Sequence, residues 1–166
     1  MSRDVSDDAL HQLAQQVGEA ARRHHHRLVT AESCTGGWIS KTLTDVPGAS
    51  DWFESGMAAY SYEAKQALLG VQPHTLEEHG AVSRETVIEM VSGALVHSGA
   101  SLAVAVTGIA GPGGGIEDTP VGTVWIAWKR RGGYPTAVVL HFDGNRESVR
   151  RQTVAAALHG LLDLAD

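Results

Sequence analysis

Four short stretches of this chain carry residue types that reactions and ligands need. The first is Thr30-Ala31-Glu32-Ser33-Cys34-Thr35-Gly36-Gly37. It lies between an apolar run and a helix-like one, the strand-to-helix position where α/β sheets contact ligands. A hydroxyl at Ser33 would face the free N–H groups of a helix's first turn, which can stabilise an oxyanion. Gly36 and Gly37 would let a substrate approach the backbone closely. The same residues also suit a simpler duty, since Ser33 or Thr35 can cap the helix. The stretch is not a G-x-S-x-G elbow, so the hydrolases built on that turn are not indicated. Cys34, at the same helix start, leaves a cysteine nucleophile as a rival.

The second stretch is Tyr60-Ser61-Tyr62-Glu63-Ala64-Lys65. A serine nucleophile needs a base, and no histidine is placed for a Ser-His-Asp triad. Lysine can take that role when burial or a neighbouring cation lowers its pKa, and Tyr60 can pass or orient the proton. Read as structure alone, Lys65 is a solvated helix lysine and Tyr60 a core-edge aromatic. The third stretch, Thr107-Gly108-Ile109-Ala110-Gly111-Pro112-Gly113-Gly114-Gly115, follows an apolar β-branched run. Its backbone N–H groups, around Gly108, Gly111 and Gly113, can hold a phosphate or carboxylate. It has neither the Gly-Lys-Ser/Thr of a Walker loop nor the spacing of a dinucleotide fingerprint. A connecting loop is the alternative, but glycine this dense inside a small domain points to function or disorder. The fourth is Gly144-Asn145-Arg146-Glu147-Ser148-Val149-Arg150-Arg151. Arg146 in a helix's first turn opposes the dipole, a placement better explained if an anion sits there too. Arg150 and Arg151 read as surface.

Other clusters carry less. His24-His25-His26 point in different directions at a helix end and read as solvated. Trp38, Trp52, Trp125 and Trp128 read as core and core edge. No His/Cys/Asp/Glu set has metal-ligand spacing, so neither a metal nor a cofactor is expected.

The elements that must hold these stretches follow from periodicity. Leu10, Leu13, Ala14, Val17, Ala20 and Ala21 recur at helical steps from Asp7 to about His24, with Ser6 or Asp7 as the cap. Strand is predicted at Arg27 to Ala31, helix at Thr35 to Thr44, and a turn around Pro47-Gly48. Strand at Ser55 to Tyr60 precedes a helix from Tyr62 to Leu69 that stops at Gly70. Leu76 to His79 is a helical turn, and Ser83 caps a longer helix. Ser101 to Thr107 is a buried central strand. Ile109 to Pro120 is loop, and Val121 to Lys129 pairs with Pro135 to Phe142. Asn145 caps a last helix ending near Leu164. The alternation implies an α/β fold, a three-layer α/β/α sandwich on a mixed β-sheet.

Composition bounds the rest. The 166 residues fit one domain, 1–166, with 43% hydrophobic and 19% charged residues, an ordinary globular balance. A formal net charge of −6 offers no basic footprint, so nucleic acid is not an expected partner. The single cysteine permits no intrachain disulfide. Neither a signal peptide nor an apolar run of membrane-spanning length is seen, so no membrane is expected and a cytoplasmic location is the expectation.

Taken in order, TAESCTGG, AAYSYEAK, VTGIAGPGGG and GNRESVRRQT resemble the carboxy-terminal domain of the CinA (competence/damage-inducible) family across nearly the whole chain. The resemblance implies an α/β/α sandwich and an amidohydrolase that converts nicotinamide mononucleotide to nicotinate mononucleotide and ammonia, a step of pyridine nucleotide salvage. It places the family's nucleophile on Ser33, its lysine on Lys65 and its tyrosine on Tyr60. The family's strand-end threonine falls on Thr107 and its arginine on Arg146. Where the family reads Gly-Asp-Arg this chain has Gly144-Asn145-Arg146, and asparagine still caps a helix. On this reading helix-start amides after Ser33 hold the oxyanion. Gly36, Gly37, Thr107, Gly108, Gly111, Gly113 and Arg146 bind the small-molecule nucleotide. A homo-oligomer, a dimer first, is the expected assembly. The rival function is a non-catalytic nucleotide-binding module of the same fold.

Overall fold

A computed structural model describes residues 4–166. Its elements in chain order are α1 (Asp7–Arg23), β1 (Leu28–Glu32), α2 (Trp38–Thr44), β2 (Phe53–Ala58), α3 (Tyr62–Leu69), α4 (Pro73–His79), α5 (Arg84–Val96), β3 (Leu102–Gly108), β4 (Thr123–Arg130), β5 (Thr136–His141) and α6 (Arg146–Ala165), with a short 3-10 turn at Ala49–Asp51. The sheet order is β2-β1-β3-β4-β5. β1 runs parallel to both β2 and β3, and β4 and β5 complete the sheet antiparallel. The expected mixed sheet is therefore present.

Period-two alternation in the buried strands decides which helix packs where. Leu28 of β1 and Leu102, Val104 and Val106 of β3 join a core with α1, α2 and α6. Val29 and Ala31 of β1 and Ala103 and Ala105 of β3 turn to the opposite core, under α3, α4 and α5. Two helical layers thus cover the two faces of one sheet, the predicted three-layer sandwich. Side-chain caps hold α1, α3, α5 and α6, with Ser6, Ser61, Ser83 and Asn145 each accepting from an N–H three residues on.

Strand β2 lies two residues earlier than the expected Ser55 to Tyr60, which leaves Tyr60 beyond its end, and two helices start elsewhere than expected. Helix α2 begins at Trp38 and not at Thr35, because Cys34 to Gly37 form a turn and Gly36 and Gly37 adopt left-handed φ angles of +60° and +105°. No side chain of Ser33 or Thr35 caps it; its N-cap is Gly37. Helix α4 starts at Pro73, three residues earlier than the apolar pattern suggested, since proline is well suited to a first helical position. Among the described residues no helix is long and apolar enough to cross a membrane.

Candidate active site

The carboxyl ends of the parallel strands β1, β2 and β3 meet at one edge of the sheet, where open α/β sheets gather ligand groups. Ser33 follows β1 and stays tied to β3 through its N–H, which donates to the Val106 carbonyl at 3.1 Å. Alternation sends Glu32 towards α2 and Ser33 to the other face. Tyr60 follows β2, and the one-residue Ser61 cap starts α3 so that Lys65 lies in its first turns. Lys65 is 1% exposed. Its Nζ donates to Ser33 Oγ at 2.9 Å and to the Tyr60 carbonyl at 2.8 Å. Burial pushes the Lys65 amine below the usual lysine value. Among the described residues no carboxylate pairs with it to offset that burial.

Cys34 presents the opposite electrostatics. Burial pushes its thiol up to about 12, with the nearby Glu32 carboxylate adding to the effect. A thiol held protonated is a poor nucleophile, which weighs against the cysteine rival.

A small cavity of about 230 Å³ is lined by Cys34, Tyr60, Gly108, Ile109, Ala110, Gly111, Gly113, Gly114 and Arg146. Ser33 and Lys65 are not in its lining but adjoin it, in sequence through Cys34 and by contact through Tyr60. Arg146 spans it: Nη1 donates to the Gly111 carbonyl at 2.8 Å and Nη2 to the Tyr60 hydroxyl at 3.2 Å. Its guanidinium therefore reaches away from its own helix terminus, which explains a cation in the first turn. Gly111 has φ +85° and a Cβ there would collide with Val121, so the loop needs glycine at this point.

Several expected placements are corrected by these contacts. The Tyr60 hydroxyl is not on Lys65; it meets Arg146, and Tyr60 reaches the lysine through its carbonyl. Thr107 is 1% exposed and donates its hydroxyl to the Ala81 carbonyl at 2.8 Å, so it fastens the loop before α5 and does not line the cavity. Gly36 and Gly37 line a separate depression of about 460 Å³ with Asp7, Thr35, Trp38, Lys41 and Arg150. The helix-start amides are also committed elsewhere, since the Ile39 and Ser40 N–H groups donate to the Glu32 carboxylate. Arg150 is not a free surface residue; Nε donates to the Cys34 carbonyl and Nη2 to that of Thr35, at 3.0 and 3.1 Å. Arg151 likewise is only 20% exposed and pairs with Asp7 and Glu147.

Glu32 escaped the sequence reading, although a signal was present. Thr30 and Glu32 are polar residues on one face of a strand buried along its whole length, and buried polar groups need partners.

A model of the CinA C-terminal domain family matches residues 10–165. The nicotinamide-nucleotide amidohydrolase PncC of Escherichia coli (strain K12) is 48% identical over 157 residues, covering 95% of each chain. The protein of the same name from Pseudomonas putida is 52% identical over 157 residues, covering 95% of this chain and 98% of that one. The crystal structure of the competence/damage inducible protein CihA from Agrobacterium tumefaciens superposes with a TM-score of 0.92 at 41% identity over the whole of both chains.

Proposed function

The chain belongs to the CinA C-terminal domain family, and from that premise we propose that it is an amidohydrolase releasing ammonia from the carboxamide of nicotinamide mononucleotide. The observation that carries this reading is the 2.9 Å contact between Lys65 Nζ and Ser33 Oγ. Relatives that match nearly end to end are named for that substrate class.

In the mechanism the neutral Lys65 amine accepts the Ser33 proton while still donating to the Tyr60 carbonyl. Ser33 Oγ attacks the carboxamide carbon, and the tetrahedral intermediate collapses as Lys65 returns the proton to the leaving nitrogen. Ammonia departs. Water, deprotonated by the same amine, then cleaves the acyl-serine to the nicotinate product. With the Gly36, Ile39 and Ser40 amides engaged, the oxyanion falls to the other backbone N–H groups of the Cys34–Gly37 turn and to the glycine loop. Tyr60, the Gly108–Gly114 segment and Arg146 hold the ribose phosphate, so that remote binding energy orients the amide. A homo-oligomeric, dimer-first assembly and a cytoplasmic location belong to the same proposal.

Ammonia release from nicotinamide mononucleotide by the purified protein tests the reading. Turnover lost in Ser33→Ala supports it. Nucleotide binding without any turnover in the parent protein would leave the binding-module alternative in its place.

A further inference from the structure

The turn carrying Ser33 is held from two sides by side chains that touch neither Lys65 nor the cavity's glycine loop. On one side lies Glu32, 1% exposed. Its Oε1 accepts from Thr35 Oγ1 at 2.6 Å and the Ile39 N–H at 2.8 Å. Its Oε2 accepts from the Ser40 N–H at 3.0 Å and Ser40 Oγ at 2.9 Å. Thr30, on the same strand face, bonds Ser40 Oγ at 2.6 Å, and Gly56 of β2 leaves room where a Cβ would strike both hydroxyls. On the other side Arg150 bridges the Cys34 and Thr35 carbonyls and rests over the Trp38 ring at 5.5 Å. The Ser33 carbonyl accepts from Gly36, closing the turn upon itself.

This is an expensive way to start a seven-residue helix. Gly37, at φ +105°, offers no side chain to cap it, and the buried carboxylate carries a desolvation cost that its four donors must offset. What the buried carboxylate adds is rigidity across Ser33. Glu32 is bonded to residues three, seven and eight positions beyond itself, which ties down the backbone between them. We infer that Glu32, with Arg150 opposing it, is a positioning residue that aims the Ser33 hydroxyl at Lys65. The inference rests on Ser33 being the nucleophile.

Both oxygens of Glu32 receive two donors, so an amide nitrogen in either place would face an N–H. Glu32→Gln therefore breaks the network without changing its size. Thr35→Val removes one donor from the turn itself, and Thr35→Ser restores it. The measurements are kcat and KM for nicotinamide mononucleotide, together with the rate at which a fluorophosphonate modifies Ser33. Misaiming a nucleophile by a fraction of a bond length costs roughly ten- to a hundredfold in rate. Glu32→Gln and Thr35→Val are expected to lower kcat and Ser33 labelling together by about that factor, with KM within about twofold. Thr35→Ser should recover both. Folded Thr35→Val with parental kcat and labelling overturns the inference, as does a rise in KM alone. Should Glu32→Gln not fold, the Thr35 pair decides. An active parent enzyme whose Ser33 the probe never modifies would instead overturn the nucleophile assignment.

Discussion

Lys65 Nζ lies 2.9 Å from Ser33 Oγ across 32 positions of sequence, reaching it from α3 while the Tyr60 carbonyl takes another of its protons. An ammonium here would have two neutral oxygens and, among the described residues, no ion-pair partner. In the proposed mechanism the neutral amine keeps its bond to the carbonyl and reverses the one to the serine, accepting the Ser33 proton. Two adjacent residues at one strand end thus differ: Ser33 is bonded to a lysine whose pKa burial lowers, and Cys34 is a thiol whose pKa burial raises.

The first prediction follows from that difference. Ser33→Ala should reduce kcat by several orders of magnitude, as removing a nucleophile does, while Cys34→Ala keeps most of it. The native thiol, pushed up to about 12, should react slowly with iodoacetamide at neutral pH. Steady-state ammonia release and mass analysis of alkylation check both. An inactive Cys34→Ala beside an active Ser33→Ala would sink the serine mechanism.

A second prediction concerns pH. Only the neutral amine accepts the serine proton, so kcat/KM should rise with pH through the folded pKa of Lys65. Burial has moved that pKa below the usual lysine value, so the limb should sit at lower pH than a free lysine would give. A profile flat up to the ordinary lysine range, with its rise only there, would contradict a depressed Lys65.

Stability should respond with the same sign. Between the lowered folded pKa and the ordinary value of 10.5, the unfolded chain binds a proton at Lys65 that the folded chain does not. Stability therefore rises with pH across that window, and below it the full cost of burial is felt. Lys65→Met is expected to abolish turnover yet melt at or above the parent Tm at neutral pH, with the gap narrowing as pH rises towards about 10. A variant that melts well below the parent, with a gap independent of pH, would show that Lys65 stabilises the fold.

Much of this was legible in the chain. The apolar, β-branched run from Ser101 to Thr107 marked the central strand, and Ser83 and Asn145 marked two helix starts at the positions their caps occupy. The residues of the second, third and fourth stretches do meet, as Tyr60, Gly111 and Arg146 around one cavity. What periodicity could not supply is non-local. Helix α2 starts late, after the left-handed Gly36-Gly37 turn, and its Ile39 amide is taken by a carboxylate seven residues upstream. Arg150 looks like a surface cation until the turn 115 residues away presents two carbonyls to it. The Tyr60 hydroxyl turns to Arg146 for the same kind of reason: its partner lies 86 positions on.

The last prediction separates binding from chemistry. Arg146 bonds the Gly111 carbonyl and the Tyr60 hydroxyl, both neutral acceptors, and an incoming phosphate is a stronger acceptor than either. Substrate binding is therefore expected to exchange at least one of these bonds for a charge-assisted one, worth about 1.5–3 kcal/mol, or roughly ten- to a hundredfold in affinity. Arg146→Ala should raise KM by that order while leaving kcat within severalfold, because Ser33 and Lys65 are held by other contacts. It should also lose most of the parent's preference for the nucleotide over its dephosphorylated nucleoside, since only the nucleotide carries the anion. Tyr60→Phe keeps the carbonyl that Lys65 uses and removes only the hydroxyl, so it should show a weaker form of the same phenotype, with kcat largely preserved. Kinetics on both substrates, with thermal melts to exclude unfolding, read out all four quantities. If Tyr60→Phe instead lowers kcat as far as Lys65→Met does, the hydroxyl leaves Arg146 during turnover and joins the proton transfer. If Arg146→Ala leaves the nucleotide preference intact, the phosphate is held by the amides of the glycine loop and Arg146 serves only to brace them.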